Sequence, residues 1–268
     1  MEKRDYLAIC ATIKDEGPYL REWIEFHKIV GVGRFYLYDN GSRDNTREVL
    51  GPYLKKGEVV LVDWPIHPGQ VQAYNHCLKH FSAAAHWIAF IDLDEFLFGT
   101  EQDSLCHVLR DYEAFCGVVV NWLIFGSSGH ARNPGGLVIK NFTRRAPLEF
   151  MINSHIKTIL HTSSALGCAN AHAFFYQGEA CPVDEDKNFI SPTRKNLFGA
   201  VVSPKAAKLR INHYIVKSLQ ESERKRLRGR ATVKALRPKQ FFKNLDRNDE
   251  VDVTIQRFVP LLTKRLSL

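Results

Sequence analysis

The early part of the chain alternates short apolar runs with longer segments whose apolar residues recur every three or four positions. Residues 6–13 read as a strand. Residues 18–30 read as a helix, with Pro18 in the first turn and Leu20, Trp23, Ile24, His27 and Val30 on one face. A strand over 35–38, a helix over 44–55 opened by an Asp44 cap, and a strand over 58–62 follow. After them come a helix over 70–81 and a strongly apolar strand over 87–91. This β-α-β-α order predicts a mostly parallel sheet with helices on both faces.

Beyond the fourth strand the pattern changes. Residues 117–125, 137–144, 156–161, 171–176 and 209–214 are short strand candidates without long helices between them, which predicts a smaller mixed or antiparallel extension. Residues 178–204, rich in Pro, Asp, Asn and Ser, read as a surface loop or flap. From 217 onward the pattern is helical and basic. The 268 residues are 45% hydrophobic and 25% charged, which fits one folded α/β domain and excludes long disorder. No apolar run reaches the length of a membrane span, and the first one follows charged residues without the flanks of a secretory signal. Cys10, Cys77, Cys106, Cys116, Cys168 and Cys181 are scattered, so reduced thiols and a cytoplasmic location are expected and zinc is not. A net charge of +8 favours an anionic partner, whether nucleotide, nucleic acid or membrane surface.

Ligands of open α/β sheets bind beyond the carboxyl ends of the strands, and those ends are unusually polar here. Thr12, Lys14, Asp15 and Glu16 follow the first strand, Asp39, Asn40 and Asp44 the second, and Asp92, Asp94 and Glu95 the fourth. Acidic loops gathered at one edge repel one another unless a cation or a donor-rich ligand sits among them. In an extended segment Asp92 and Asp94 would project from one face, and two hard carboxylates suit Mg²⁺ or Mn²⁺. Asp-x-Asp is also common by chance in loops. His76 and His80 share a helix face but lack a carboxylate companion for zinc, so surface or packing roles are expected.

The ordered motifs are more specific than any one of them. KDEGPYLREWIEFH at 14–27, GVG at 31–33, FYLYDNGSRD at 35–44, DLDEF at 92–96, WLIFGSSGH at 122–130, KTI at 157–159 and NHYIVKS at 212–218 together resemble glycosyltransferase family 92 and related family 2-like enzymes. Asp15 departs from the pattern, in which Asn is more usual. The resemblance implies a GT-A (Rossmann-like) α/β fold with a helical C-terminus. It also implies a UDP-sugar donor, a divalent metal, a saccharide or glycolipid acceptor, and inversion at the anomeric carbon. Residues 1–216 would form the transferase domain, with a nucleotide-binding half over 1–100 and an acceptor-side half over 101–216. Residues 217–268 would be a basic extension packed on it.

By matching motifs, Thr12, Lys14, Glu16 and Asp39 would line the uridine pocket. Asp92 would lie near the ribose and metal, Asp94 would ligate the metal, and His213 would be a further ligand for metal or diphosphate. Turn chemistry is the alternative for Asp39, and plain packing the alternative for His213. Lys157, Lys217 and Arg228 are candidates to pair with the diphosphate. Trp122, Ser127, Ser128 and His130 suit an acceptor-side loop, since sugars stack on aromatic faces and hydrogen-bond to hydroxyls. The resemblance to family 2 enzymes, which place their base at about this distance beyond the metal motif, implies Asp184, with Glu185 and Asp186 beside it, as the candidate general base, and Glu149 is its competitor.

Arg224, Lys225, Arg226, Arg228, Arg230, Lys234, Arg237, Lys239 and Lys243 interleave with apolar residues over 223–243, a pattern that suits attachment to the inner face of an anionic membrane. The same basic stretch fits a nucleic-acid-binding protein, although no known nucleic-acid motif accompanies it and the acidic sheet edge opposes it. A metal-dependent phosphohydrolase built on Asp92 and Asp94 is the other alternative.

Overall fold

The computed structural model describes residues 4–190, 199–229, 233 and 235–268. The first half follows the expected alternation, as β1 (Asp5–Ile13), α1 (Gly17–Ile29), β2 (Arg34–Asp39), α2 (Thr46–Lys55), β3 (Val59–Asp63), α3 (Gln70–Phe81) and β4 (Ala85–Phe90). Then come β5 (Glu95–Gly99), α4 (Leu105–Arg110), β6 (Gly117–Ile124), α5 (Val138–Asn141), β7 (Arg144–Arg145), β8 (Ile156–His161), β9 (Ala165–Cys168) and β10 (Phe174–Tyr176). The last described elements are β11 (Leu209–His213), α6 (Leu219–Arg228), α7 (Lys239–Leu245), β12 (Glu250–Val251) and α8 (Val259–Leu266).

Eight strands form one sheet in the order β3-β2-β1-β4-β8-β6-β11-β5. β1 to β4, β6 and β11 run one way, and β8 and β5 run the other. This is the mostly parallel, helix-flanked α/β sheet that the GT-A expectation requires. The carboxyl ends of the parallel strands and the amino ends of β5 and β8 therefore share one edge.

Period-two alternation builds a core on each face of the sheet. In β1, Leu7, Ile9, Ala11 and Ile13 join the larger cluster, while Ala8 and Cys10 join the smaller one under α3. The larger core reaches past residue 217, because Phe242, Leu245, Ile255, Phe258 and Leu262 belong to it. Helix α1 ends in a Schellman turn, with Gly31 at φ +106° and the Val32 N–H donating to the His27 carbonyl at 2.9 Å.

The structure corrects several sequence expectations. Asp44 does not cap α2 from the first position before the helix. One of its oxygens accepts the Thr46 N–H at 3.0 Å and the other accepts the Gly17 N–H at 2.8 Å, so one carboxylate serves the starts of two helices. Of residues 137–144 only Arg144 is strand, since Val138–Asn141 is a short helix. Its first amides, which lack helical partners, are satisfied by buried Glu22, whose oxygens accept the N–H groups of Val138 at 2.8 Å and Ile139 at 3.1 Å. Of 171–176 only Phe174–Tyr176 is strand, because the Asn170 side chain turns the preceding backbone by accepting the His172 and Ala173 N–H groups. The flap expected over 178–204 falls partly outside the described residues.

His27 makes folding acid-sensitive. It is fully buried, with Nδ1 2.8 Å from the Trp23 carbonyl and Nε2 accepting the Leu97 N–H at 3.2 Å, so both nitrogens are used by the neutral ring. Burial pushes its pKa down from 6.5 to about 3. The unfolded chain takes up this proton at a higher pH than the folded one. The stability it confers is therefore full above pH 6.5 and is lost as pH falls toward 3. Between pH 7 and pH 5 the wild type should lose about 2 kcal/mol more than His27→Gln in urea unfolding. Equal losses would remove His27 as the cause.

Candidate active site

A cleft of about 360 Å³ opens at the shared strand edge. Thr12, Lys14 and Glu16 line it from the end of β1, Asp92 and Asp94 from the turn after β4, Trp122 from β6, and His213 from β11. The turn over residues 92–94 is not extended as expected. β5 pairs with β11 at the far side of the sheet, so the chain must reverse after β4, and the Glu95 N–H donates to the Asp92 carbonyl at 3.1 Å. Both carboxylates still reach the cleft.

Each acid of that turn has a defined set of partners. Asp92 accepts from Lys157 Nζ and from Gln70 Nε2, both at 2.8 Å. Glu95 is fully buried below it, accepting the Asp92 N–H at 2.9 Å, with Lys157 Nζ 3.6 Å from its other oxygen. Burial pushes the Glu95 carboxyl well above the usual range despite Lys157, whereas burial at Asp92 is outweighed by Lys157 and its pKa falls. Asp94 is 5% exposed and pairs with Lys225 of α6, with His213 Nε2 at 3.4 Å. Burial would raise its pKa, but Lys225 and then His213 hold it well below the carboxylate range.

Asp94, His213 and Asp92 supply carboxylate oxygens and an imidazole nitrogen, a donor set that suits Mn²⁺ or Mg²⁺ when water and ligand oxygens complete the shell. His213 Nδ1 is buried without a hydrogen-bond partner. No three such side chains among the described residues close around one point, so the protein would contribute few ligands. Lys225 would have to leave Asp94 for a cation to take its oxygen.

The other expected residues divide. Lys157 stands at the site, but beneath it, holding Asp92 rather than lining the cleft. Asp39 is buried at the end of β2, where it accepts the Ser42 N–H at 2.8 Å and lies 3.5 Å from Arg47. Its turn role is visible, and its neighbour Asn40 is the residue that lines the cleft. Lys217 borders an adjacent cavity instead of this one. Arg228 pairs with Glu16 at 2.6 Å and donates to the Lys14 carbonyl at 2.7 Å.

Three acceptor-side residues and both candidate bases are displaced from the cleft. The backbone N–H groups of Ser127 and Ser128 donate to Asp246 and Asn248, Ser128 Oγ accepts from Thr143 and Arg144, and His130 packs edge-on to Phe142. That loop ties β6 to the C-terminal segment, while Trp122 alone of the set lines the cleft. Asp184 follows Val183, which bridges Val118 near the start of β6, so it lies at the opposite edge of the sheet, bound to Lys205 at 2.7 Å. Glu185 beside it accepts the N–H groups of Ala207, Lys208 and Leu209 at the start of β11. Glu149 is exposed and outside the cleft.

Sequence reasoning missed His155, His172, Gln70, Lys225 and Phe241, all of which line the cleft. His155 had a usable signal. It directly precedes β8, and the start of an antiparallel strand lies at the same edge as the ends of the parallel ones.

The fold and cleft define a class: an open α/β protein whose polar site lies beyond the carboxyl ends of its parallel strands. Within that class the chain belongs to glycosyltransferase family 92, whose model matches residues 6–175. A family 92 protein of Oryza sativa subsp. japonica is 31% identical over 147 residues, covering 53% of this chain and 25% of that protein. One of Ricinus communis is 27% identical over 194 residues, covering 70% and 35%. A galactan β-1,4-galactosyltransferase of Arabidopsis thaliana is 29% identical over 126 residues, covering 42% and 24%. The chain thus spans between about a quarter and a third of the length of these relatives. Among solved structures, that of S. aureus TarS 1-349 overlaps 98% of this chain and 74% of its own at 16% identity, with a TM-score of 0.40.

Proposed function

We propose that the chain transfers a sugar, galactose first among candidates, from a UDP-sugar to a saccharide hydroxyl with inversion. The observation that carries this reading is the Asp92–Asp94 turn facing Thr12, Lys14 and Glu16 across one cleft of about 360 Å³. Family membership over residues 6–175 supports glycosyl transfer, and the relatives named as galactan galactosyltransferases support galactose. A divalent cation at Asp94 and His213 would neutralise charge on the departing diphosphate. Asp92, fixed by Lys157 and Gln70, would orient the donor from the neighbouring position.

The base is better sought in the cleft than at Asp184. The Ile152 carbonyl lies 3.0 Å from His155 Nδ1, which assigns the proton there and leaves the Nε2 lone pair for an acceptor hydroxyl. Its ring stacks on Trp122 at 5.1 Å, which fixes the imidazole against the wall of the cleft. His172 has the same kind of carbonyl partner, but burial pushes its pKa down to about 3, which makes it a poor proton acceptor near neutrality.

A panel of UDP-, GDP- and CDP-sugars in thermal denaturation, with and without Mn²⁺, tests the reading. UDP-sugars should raise the melting midpoint more than the others and more with metal, because a ligand bound only by the native state stabilises it. No shift with any nucleotide sugar would reject it. Nucleic-acid binding is disfavoured, because Lys225 and Arg228 of the basic stretch turn inward onto Asp94 and Glu16. Arg230 and Lys234 of that stretch lie outside the described residues.

A further inference from the structure

Beside the cleft lies a second cavity, of about 370 Å³, between the start of α1 and the segment leading into α6. Lys14, Glu16, Ile215, Lys225 and Arg228 line both volumes, and the pairs of Lys225 with Asp94 and of Arg228 with Glu16 form the wall between them. The remaining acids of the second cavity are already engaged. Asp15 accepts the Arg43 N–H at 2.7 Å, and Glu221 accepts from Ser218, Asn133 and the Tyr19 hydroxyl.

Three cations are left over. Lys14, Lys217 and Arg224 border the cavity, and none forms an ion pair with a carboxylate among the described residues. Lys217 is the informative one. It is 6% exposed, its backbone holds φ +52°, unusual for a residue with a side chain, and its ammonium lies 3.8 Å from the centre of the Tyr19 ring. Glu22 and Asp94 feel its charge without pairing with it. A buried ammonium without a carboxylate is costly unless a ligand completes it, and strained backbone clusters at binding sites.

We propose that this cavity is a second binding site, for a compact oxyanion such as a phosphoryl or sulfate group, held by Lys217 with Arg224 and filled while a nucleotide occupies the cleft. Such a group has two sources, the donor's own diphosphate or an anionic substituent on the acceptor. The wall of Lys225 and Arg228 between the volumes assigns it to the acceptor, a step that rests on the transferase reading above.

The test is calorimetric titration of the full chain with inorganic phosphate, alone and in saturating UDP. Phosphate should bind with the same affinity in both arms. Lys217→Met should weaken phosphate binding by about tenfold or more and leave UDP binding unchanged, while Lys217→Arg retains both. If Lys217→Met does not fold, Arg224→Gln, an exposed change, should weaken phosphate alone by about threefold. Absence of phosphate binding, or its competition with UDP, would overturn the proposal. Phosphate binding through Lys217 in a protein that ignores UDP would uphold the cavity and remove the donor reading instead.

Discussion

Asp94→Asn is expected to lower the rate of sugar transfer by about three orders of magnitude at saturating donor, with the fold retained. Asp94 is the one carboxylate in the cleft whose oxygen meets both the α6 ammonium of Lys225 and the imidazole of His213. It is 5% exposed, so its charge acts where water screens little. Asparagine keeps the shape and one acceptor oxygen but removes the charge that would hold a cation against the diphosphate. Initial rates under saturating donor and Mn²⁺, with a melting curve for each protein, provide the measurement. A folded variant retaining a third or more of the wild-type rate would remove Asp94 from the central role.

The largest loss of stability is expected from Lys157→Met. Lys157 is 1% exposed and supports Asp92 at 2.8 Å and Glu95 at 3.6 Å. Removing one partner of a buried pair leaves the other charge unmatched, at a cost of about 3–5 kcal/mol. Asp92 is the nearer partner and its side chain keeps 34% exposure, so solvent screens part of the unmatched charge and the low end applies. Urea unfolding should show a loss of about 3 kcal/mol for Lys157→Met, with part of it regained in Lys157→Met combined with Asp92→Asn. A double variant no more stable than the single one would mean that packing, not charge pairing, is what Lys157 supplies.

The first half of the fold was legible because its signals are local. Apolar runs of strand length, helical spacing in 18–30 and 70–81, and turn residues between them all act within a few positions. The polar strand ends were legible for the same reason, since topology alone sends them to one edge. What failed depends on contacts distant in sequence. Helix α5 needs Glu22, more than a hundred residues earlier, to satisfy its first amides. Lys225 looks like any other residue of a basic stretch until α6 is laid across the cleft. The resemblance points to Asp184, yet the bridge of its neighbour Val183 to Val118 carries it to the opposite edge of the sheet. Ser127 and Ser128 show polar side chains with no mark of whether they face a ligand or a neighbouring loop.

The central claim is that the cleft at Asp92 and Asp94 passes a sugar to another saccharide. It is tested most directly by following UDP-galactose and an oligogalactan acceptor together, with released UDP and extended acceptor measured in the same reaction. UDP should appear in step with extended acceptor and fall to a trace when acceptor is omitted. Release of nucleotide at the same rate without acceptor would contradict it and leave a phosphohydrolase at this site.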